Sequence, residues 1–471
     1  MGYGKNTNVI QLPAKRLDGD KPDSIDLIYA RELRDSPDFS VDFDSDDAYR
    51  WNGDFWEAQK VADERRRAAG WLERHSPSTI SDKQAFAVAS LAKTMAVAIP
   101  DADPKKVIIP LKGAYLHLER SEDGTHGFRV KRPERSDGVT YGINATSTQR
   151  AESLWVPNGD ISGSRLGRFL EQVLPNPEVR SVVQEFFGVT LLPDARHHKA
   201  LCLIGRGRNG KGTLARLLKR LHRCPIAVDA NRLTRFSLEG AESASLVIAD
   251  EVKERGLASQ ELKKCISGEP IQVNRKGRRV ITVELKAKWL LMTNHVPKLD
   301  DMTLGMMSRF IFVPMETTID GKSIVVNLDE ELADHELDLF VQWCLAGLLR
   351  VSNRGRLPVD DELPEPCRLL KDTVKKASCS ILEWLDDMDP IKVDKTVLTP
   401  KQDIWKAYAS WADDKGYTPF SDKTFWDRLT QYLSLPNNFD VRRRTQDGKR
   451  LRFVPLVVPG VSSERFGTTD F

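Results

Sequence analysis

One stretch narrows the possible folds more than any other: Leu201-Cys-Leu-Ile-Gly-Arg-Gly-Arg-Asn-Gly-Lys-Gly-Thr213. Leu201 to Ile204 read as a buried strand, a glycine-spaced loop follows, and Leu214, Leu217, Leu218 and Leu221 recur at helical spacing. A strand, a glycine-rich turn and a helix N-terminus make a polyphosphate site. Gly205, Gly207 and Gly210 allow successive backbone N–H groups to turn inward, and the helix dipole adds positive potential. Lys211 is placed to reach the β- and γ-phosphates as a point charge. The expected phosphate contacts are Gly205, Arg208, Asn209, Gly210, Lys211, Gly212 and Thr213. One position departs from the pattern. Gly212 stands where a Ser or Thr hydroxyl normally meets Mg²⁺, and Thr213 lies about 100° further round the helix, suited to hold the metal through water. A glycine-rich turn with a chance lysine is the plainer alternative, but strand and helix flank the loop where the chemistry needs them.

Two more apolar strands end in polar groups. Ala244-Ser-Leu-Val-Ile-Ala-Asp-Glu251 ends in two carboxylates, 39 residues after Lys211. Asp250 is suited to hold Mg²⁺ and Glu251 to polarise an attacking water. Lys288-Trp-Leu-Leu-Met-Thr-Asn294 ends in an amide suited to orient that water or sense a terminal phosphate. Leu304-Gly-Met-Met-Ser-Arg309 precedes a further strand, Phe310 to Met315. Between the acidic strand and the asparagine strand, alternating runs flank Arg275-Lys-Gly-Arg-Arg279 and predict a β-hairpin with a basic tip. From Asn274 to Lys288 there are six Lys or Arg against one Glu, a density that suits phosphates of single-stranded DNA. Arg275, Lys276, Arg278 and Arg279 are the candidate contacts, set against a merely solvated turn.

Together, Gly205 to Thr213, Asp250-Glu251, the Ser267-Gly-Glu-Pro270 lead-in, Thr293-Asn294-His-Val-Pro297 and Arg309 resemble the superfamily 3 helicases. They are most similar to the phage and plasmid primase–helicase family, in which Asn-Gly-Lys and Thr-Asn-x-x-Pro are typical. The resemblance implies a P-loop, AAA+-like α/β core, a hexameric ring with ATP and Mg²⁺ between subunits, and DNA threaded through the pore, moving 3′→5′. By position it makes Lys211 and its loop the ATP contacts, Asp250 and Glu251 the groups that serve Mg²⁺ and the catalytic water, Asn294 the catalytic sensor and Arg309 a finger reaching the neighbouring subunit. Lys276, at the hairpin tip, is then the choice for the pore residue, and Thr213 departs from the pattern in meeting the metal only through water. Where members often carry two adjacent arginines this chain has Ser308-Arg309, so the finger rests on Arg309 alone. A primase half is not recognisable. Val41-Asp42-Phe43-Asp44 is similar to the paired-aspartate motif of archaeo-eukaryotic primases but reads as a solvated acidic stretch.

The domain reading is an α/β core with flanking modules: residues 1–48 a polar leader, 49–160 a small α+β domain, 161–198 a helical block, 199–355 the ATPase core, 356–375 a linker, 376–460 a winged-helix-like domain and 461–471 a tail. In the small domain, charged and capped helices run to about residue 74 and from Ser81 towards Pro100. Strand-like runs cover Val107 to Glu119 and Gly127 to Lys131. In the helical block Gly188 is expected to end the second helix. Near the C-terminus, helices led by Ile381, Thr399 and Ser421 precede Val441 to Phe453, a hairpin turning at Asp447-Gly448. Helices followed by a basic β-wing suggest a winged helix, with Lys423, Arg442, Arg443, Arg444, Lys449 and Arg450 as candidate duplex-DNA contacts.

Composition excludes more than it assigns. A net charge of +3 is too small to argue for nucleic acid by itself, so local clusters carry that inference. Six scattered cysteines without a Cys-x-x-Cys pair argue against a zinc ribbon and for free thiols in a reducing cytoplasm, here of a bacterial host. No apolar run reaches a membrane span, and the N-terminus lacks the apolar core of a signal peptide. Expected partners are single-stranded and duplex DNA, further copies of the chain, and host or phage replication proteins. A replication initiator that melts an origin, a primase–helicase with a cryptic primase region, and a ring ATPase with a task away from DNA remain open.

Overall fold

The computed structural model describes residues 23–146, 154–252, 259–299, 304–320, 325–433, 435, 442–446 and 449–465. The chain divides into two compact units, one of Met1–His117 with Lys131–Gly142, the other of Leu118–Val130 with Ile143–Phe471.

In the first unit, residues 25 to 48 are folded and do not form a loose leader. Helix Ile25–Arg34 is capped by Ser24, and strands Phe39–Asp42, Asp47–Trp51 and Trp56–Ala58 form an antiparallel sheet. Tyr29, Leu33, Phe39 and Val41 join Trp71, Leu72 and Val88 from helices Val61–His75 and Asp82–Met95 in one core. Four buried side chains explain why this segment folds despite its polar composition. Asp42 and Asp44 stand at a turn: Asp42 Oδ1 accepts from the backbone N–H of Asp44 at 2.9 Å, the work of a turn aspartate. The run read as one strand from Val107 breaks into a hairpin, Leu111 pairing with Ala114 across Gly113.

The second unit is built on a five-stranded sheet: β1 Ala200–Ile204, β2 Pro225–Ala227, β3 Leu246–Ala249, β4 Lys288–Thr293 and β5 Phe310–Pro314, in the order β5-β1-β4-β3-β2. Every pairing is parallel. β1, β3 and β4 are buried along their whole length, which is why their sequences run apolar without alternation. Thr293 lies opposite Ile204, and Leu291 opposite both Cys202 and Ala249. Gly205, Asn294 and Asp250 therefore leave neighbouring strands at one edge.

The helical block forms Arg165–Val173 and Pro177–Thr190, capped by Ser164 and Asn176. Gly188 does not end the second helix, which runs on to Thr190. Its missing side chain serves packing instead, since a Cβ there would stand 2.4 Å from Cys344 O and 2.5 Å from Leu348 N of helix Leu337–Arg354. Gly188→Ala is therefore expected to cost about 1–3 kcal/mol by overpacking, read as a lower denaturation midpoint; an unchanged midpoint would mean the two helices part easily.

Two boundaries shift in the C-terminal region. The supposed linker holds helix Glu365–Ser378, with Cys367, Lys371 and Val374 buried and Lys371 Nζ donating to Asp360 Oδ1 at 2.6 Å. The supposed tail contributes Glu464–Arg465, which pairs with Val397 and Leu398. Between them lie helices Ser380–Asp387, Lys401–Asp414 and Asp422–Tyr432, and strands Val397–Pro400, Arg442–Gln446 and Lys449–Val454. Thr399 belongs to the strand, so its helix starts two residues later than read. Trp384, Ile404, Tyr408, Phe425 and Leu429 are fully buried in a core continuous with that of the sheet.

Candidate functional site

The phosphate loop leaves β1 and re-enters helix Lys211–Leu221 through Gly210, whose φ of 83° a side chain would resist and whose Cβ would meet Val173 Cγ1 at 2.4 Å. A Cβ on Gly207 would meet nothing within 4 Å, so the mouth of the loop is open. Asn209, expected as a phosphate contact, also holds the loop in place. Its side chain is buried, with Nδ2 donating to Met315 O at 2.8 Å, and it braces the loop against the chain leaving β5. Arg208 is exposed at φ 62°, and its carbonyl accepts from Ile319 N at 2.7 Å. Lys211 Nζ donates to Gly205 O at 2.5 Å, Asn209 Oδ1 at 3.1 Å and Asn294 Oδ1 at 3.1 Å. Burial lowers the pKa of this ammonium and Asp250 pulls it back up.

The lysine contact with Asn294 joins the ends of β1 and β4, and β3 delivers the two acids alongside. Asp250 and Glu251 are both exposed. Glu251 takes φ 53°, its N–H donating to Asp250 Oδ1 at 2.8 Å and its carbonyl accepting from Asn231 Nδ2 at 3.2 Å. A non-glycine residue in the left-handed region at a strand tip stores strain of the sort that gathers at functional sites. Among the described residues no group of three or more His, Cys, Asp or Glu could hold a metal. The exposed Asp250 carboxylate and the Thr213 hydroxyl are oxygen donors of the kind that a hard cation such as Mg²⁺ takes beside phosphate and water.

The basic hairpin is present, with strands Pro270–Val273 and Ile281–Glu284 antiparallel. Lys276, Arg278 and Arg279 are exposed, whereas Arg275 is only 4% exposed, so it supports the hairpin from inside and is no surface contact. A neighbouring segment anchors the loop: Asn274 N donates to the backbone carbonyl of Arg235 at 2.9 Å and Lys276 N to the Glu239 carboxylate, Oε1, at 3.1 Å. That neighbour carries a residue the motif search missed. Phe236 is 65% exposed, beside exposed Arg232 and Arg235. Its signal in the sequence, an aromatic ring in a polar turn, is too common to single out.

Arg309 sits at the other end of the sheet. It immediately precedes β5, whose five residues span about 16 Å. Its Nε donates to Ser267 Oγ at 2.6 Å and another nitrogen to Gly305 O, with Glu269 Oε1 3.9 Å away. Lys199, another residue missed in the sequence, stands beside it ahead of β1 and donates to Ser308 O at 2.5 Å. Burial depresses the pKa of Lys199, and Lys371 and Arg309 nearby add to the effect. Lys423 is exposed on helix Asp422–Tyr432. Arg442, Arg443 and Arg444 lie on one strand of the C-terminal hairpin and Lys449 and Arg450 on the other, while the turn at Asp447-Gly448 is outside the described residues. No helix among the described residues is long and apolar enough to cross a membrane.

Residues 203–309, from the phosphate-loop strand to Arg309, match a family of unknown function, DUF5906, and residues 382–452 match a poxvirus D5 protein-like family. A search of curated proteins finds none that matches. Among solved structures, an apo structure of the NrS-1 C-terminal region aligns with 12% identity over 89% of this chain and 96% of that one, at a TM-score of 0.49. Its A-form apo structure aligns with 11% identity over the same shares, also at 0.49. JCV helicase bound to a thiazolopyridine acetamide aligns with 14% identity over 55% of this chain and 68% of that one, at 0.27. These overlays are too loose to add to what the motifs and the site geometry carry.

Proposed function

We propose that this chain, which resembles the superfamily 3 primase–helicases, is an ATP-driven DNA helicase of a phage or other mobile element, acting as a ring, most simply a hexamer. The observation that carries the reading is the meeting of three strand ends. Lys211 touches Asn294, and the Asp250-Glu251 pair leaves the next strand at the same edge. Lys211 and the loop N–H groups bind the triphosphate. Asp250, directly or through water, and Thr213, through water, would hold Mg²⁺, which when bound would offset charge on the phosphates. Glu251 takes the proton of the attacking water, and Asn294 orients that water. Lys276, Arg278 and Arg279 follow the backbone of a single strand, and Phe236 offers a ring for a base to stack on. The C-terminal helices and basic hairpin form a winged helix that contacts duplex.

The deciding experiment measures ATP hydrolysis with and without single-stranded DNA, together with particle mass in nucleotide. Stimulated turnover by a ring is expected; turnover indifferent to DNA would leave a ring ATPase with another task. Lys211→Ala is expected to abolish binding of a fluorescent ATP analogue, since Lys211 Nζ touches both the loop carbonyl of Gly205 and Asn294. Lys276→Ala is expected to keep DNA-independent hydrolysis and lose strand displacement. Displacement at the parent rate would remove Lys276 from the path of DNA.

A further inference from the structure

Gly212 removes the hydroxyl normally aimed at the metal, and one side chain lies across the gap. A Cβ built on Gly212 would stand 3.2 Å from a terminal nitrogen of Arg216 and meet nothing else within 4 Å. The same guanidinium donates to Thr213 Oγ1 at 3.4 Å, while its Nε donates to Asp329 Oδ1 at 3.0 Å. Arg216 follows Gly212 by one helical turn, and helical side chains lean toward the N-terminus, so its charge is delivered to the turn that begins at Lys211. Its anchor and its tip differ: the Asp329 side chain is 6% exposed, that of Arg216 58%. Arg220 also pairs with Asp329, at 3.4 Å, so the buried carboxylate keeps a partner when Arg216 turns toward a ligand.

We propose that Arg216 is a further phosphate-binding residue of the nucleotide site, reaching through the space left by Gly212 to neutralise charge on the bound triphosphate. The proposal rests on the ATP-site reading above. A guanidinium is suited to the task, since it stays charged and presents forked N–H donors that match phosphate oxygens. It supplies in fixed form some of the positive charge that a site with a hydroxyl at residue 212 draws from its metal. Nucleotide affinity should then depend less on Mg²⁺ than the general pattern implies.

The test titrates a fluorescent ATP analogue into full-length protein, in excess Mg²⁺ and in EDTA, for the parent and for Arg216→Ala, Arg216→Lys and Lys211→Ala. Arg216→Ala is expected to weaken binding about tenfold or more in EDTA and by less in Mg²⁺, as loss of a charge-assisted hydrogen bond would. Arg216→Lys, which keeps the charge, should recover much of the loss in EDTA. Equal weakening in the two conditions, with Lys no better than Ala, would mark Arg216 as a helix brace and overturn the proposal, as would parent-like binding by Arg216→Ala. A separate outcome tests the site itself: if Lys211→Ala binds as tightly as the parent, the ATP-site reading falls whatever Arg216 does.

Discussion

Alanine at Arg309 is expected to lower ATP turnover by about 10³-fold or more, while nucleotide binding by the individual subunit persists. Lys211 and the acids sit where strands of the sheet end, and Arg309 sits where β5 begins, about 16 Å away along the strand. It cannot serve the phosphates of its own subunit without dismantling the sheet. It can serve those of a neighbour, where a guanidinium stabilises charge that develops on the transferred phosphoryl group. Its contacts with Ser267 and Gly305 also suit a purely architectural arginine. Mixing separates the two cases: Arg309→Ala subunits combined with Glu251→Gln subunits should regain measurable hydrolysis at the interfaces where an intact Glu251 meets an intact Arg309. A mixture as inactive as its parts, with assembly intact, would sink action between subunits.

Glutamine at Glu251 is expected to hold ATP without turning it over, with hydrolysis down by about 10²- to 10⁴-fold and affinity little changed. The substitution keeps size and hydrogen bonding but removes the base. The carboxylate is exposed at a strained strand tip next to Asp250, for which the proposed role of holding Mg²⁺ predicts another pattern. Asp250→Asn should raise the Mg²⁺ concentration needed for half-maximal hydrolysis. Glu251→Gln should leave that requirement where it was, and a shift equal to that of Asp250→Asn would reverse the two roles.

The centre of the site was legible because its chemistry is local. A glycine-spaced loop between strand and helix has few other uses, and apolar strands that end in Asp-Glu or Thr-Asn deliver polar groups to the edge of a sheet. What escaped depends on contacts across the chain. Helix Glu365–Ser378 hid because Lys371, buried against Asp360, interrupts its apolar stripe. Gly188 carries the mark of a helix end, yet it faces Cys344 and Leu348, more than 150 residues later in the chain. The hairpin was read correctly as an element, but its count of positive charges could not say that Arg275 points inward. The bracing role of the Asn209 side chain was hidden for the same reason, since the carbonyl to which it donates belongs to Met315.

The hydroxyl that holds Arg309 lies only three residues ahead of the hairpin strand Pro270–Val273. If Arg309 serves a neighbouring subunit's nucleotide as proposed, it must let Ser267 go, and with it the residue that leads into its own basic hairpin. On that proposal, the reach of Arg309 and the hold on the hairpin would be alternatives within each protomer. In a ring of such protomers, as proposed, release would pass from member to member in the order in which nucleotide is spent, with no separate timing element.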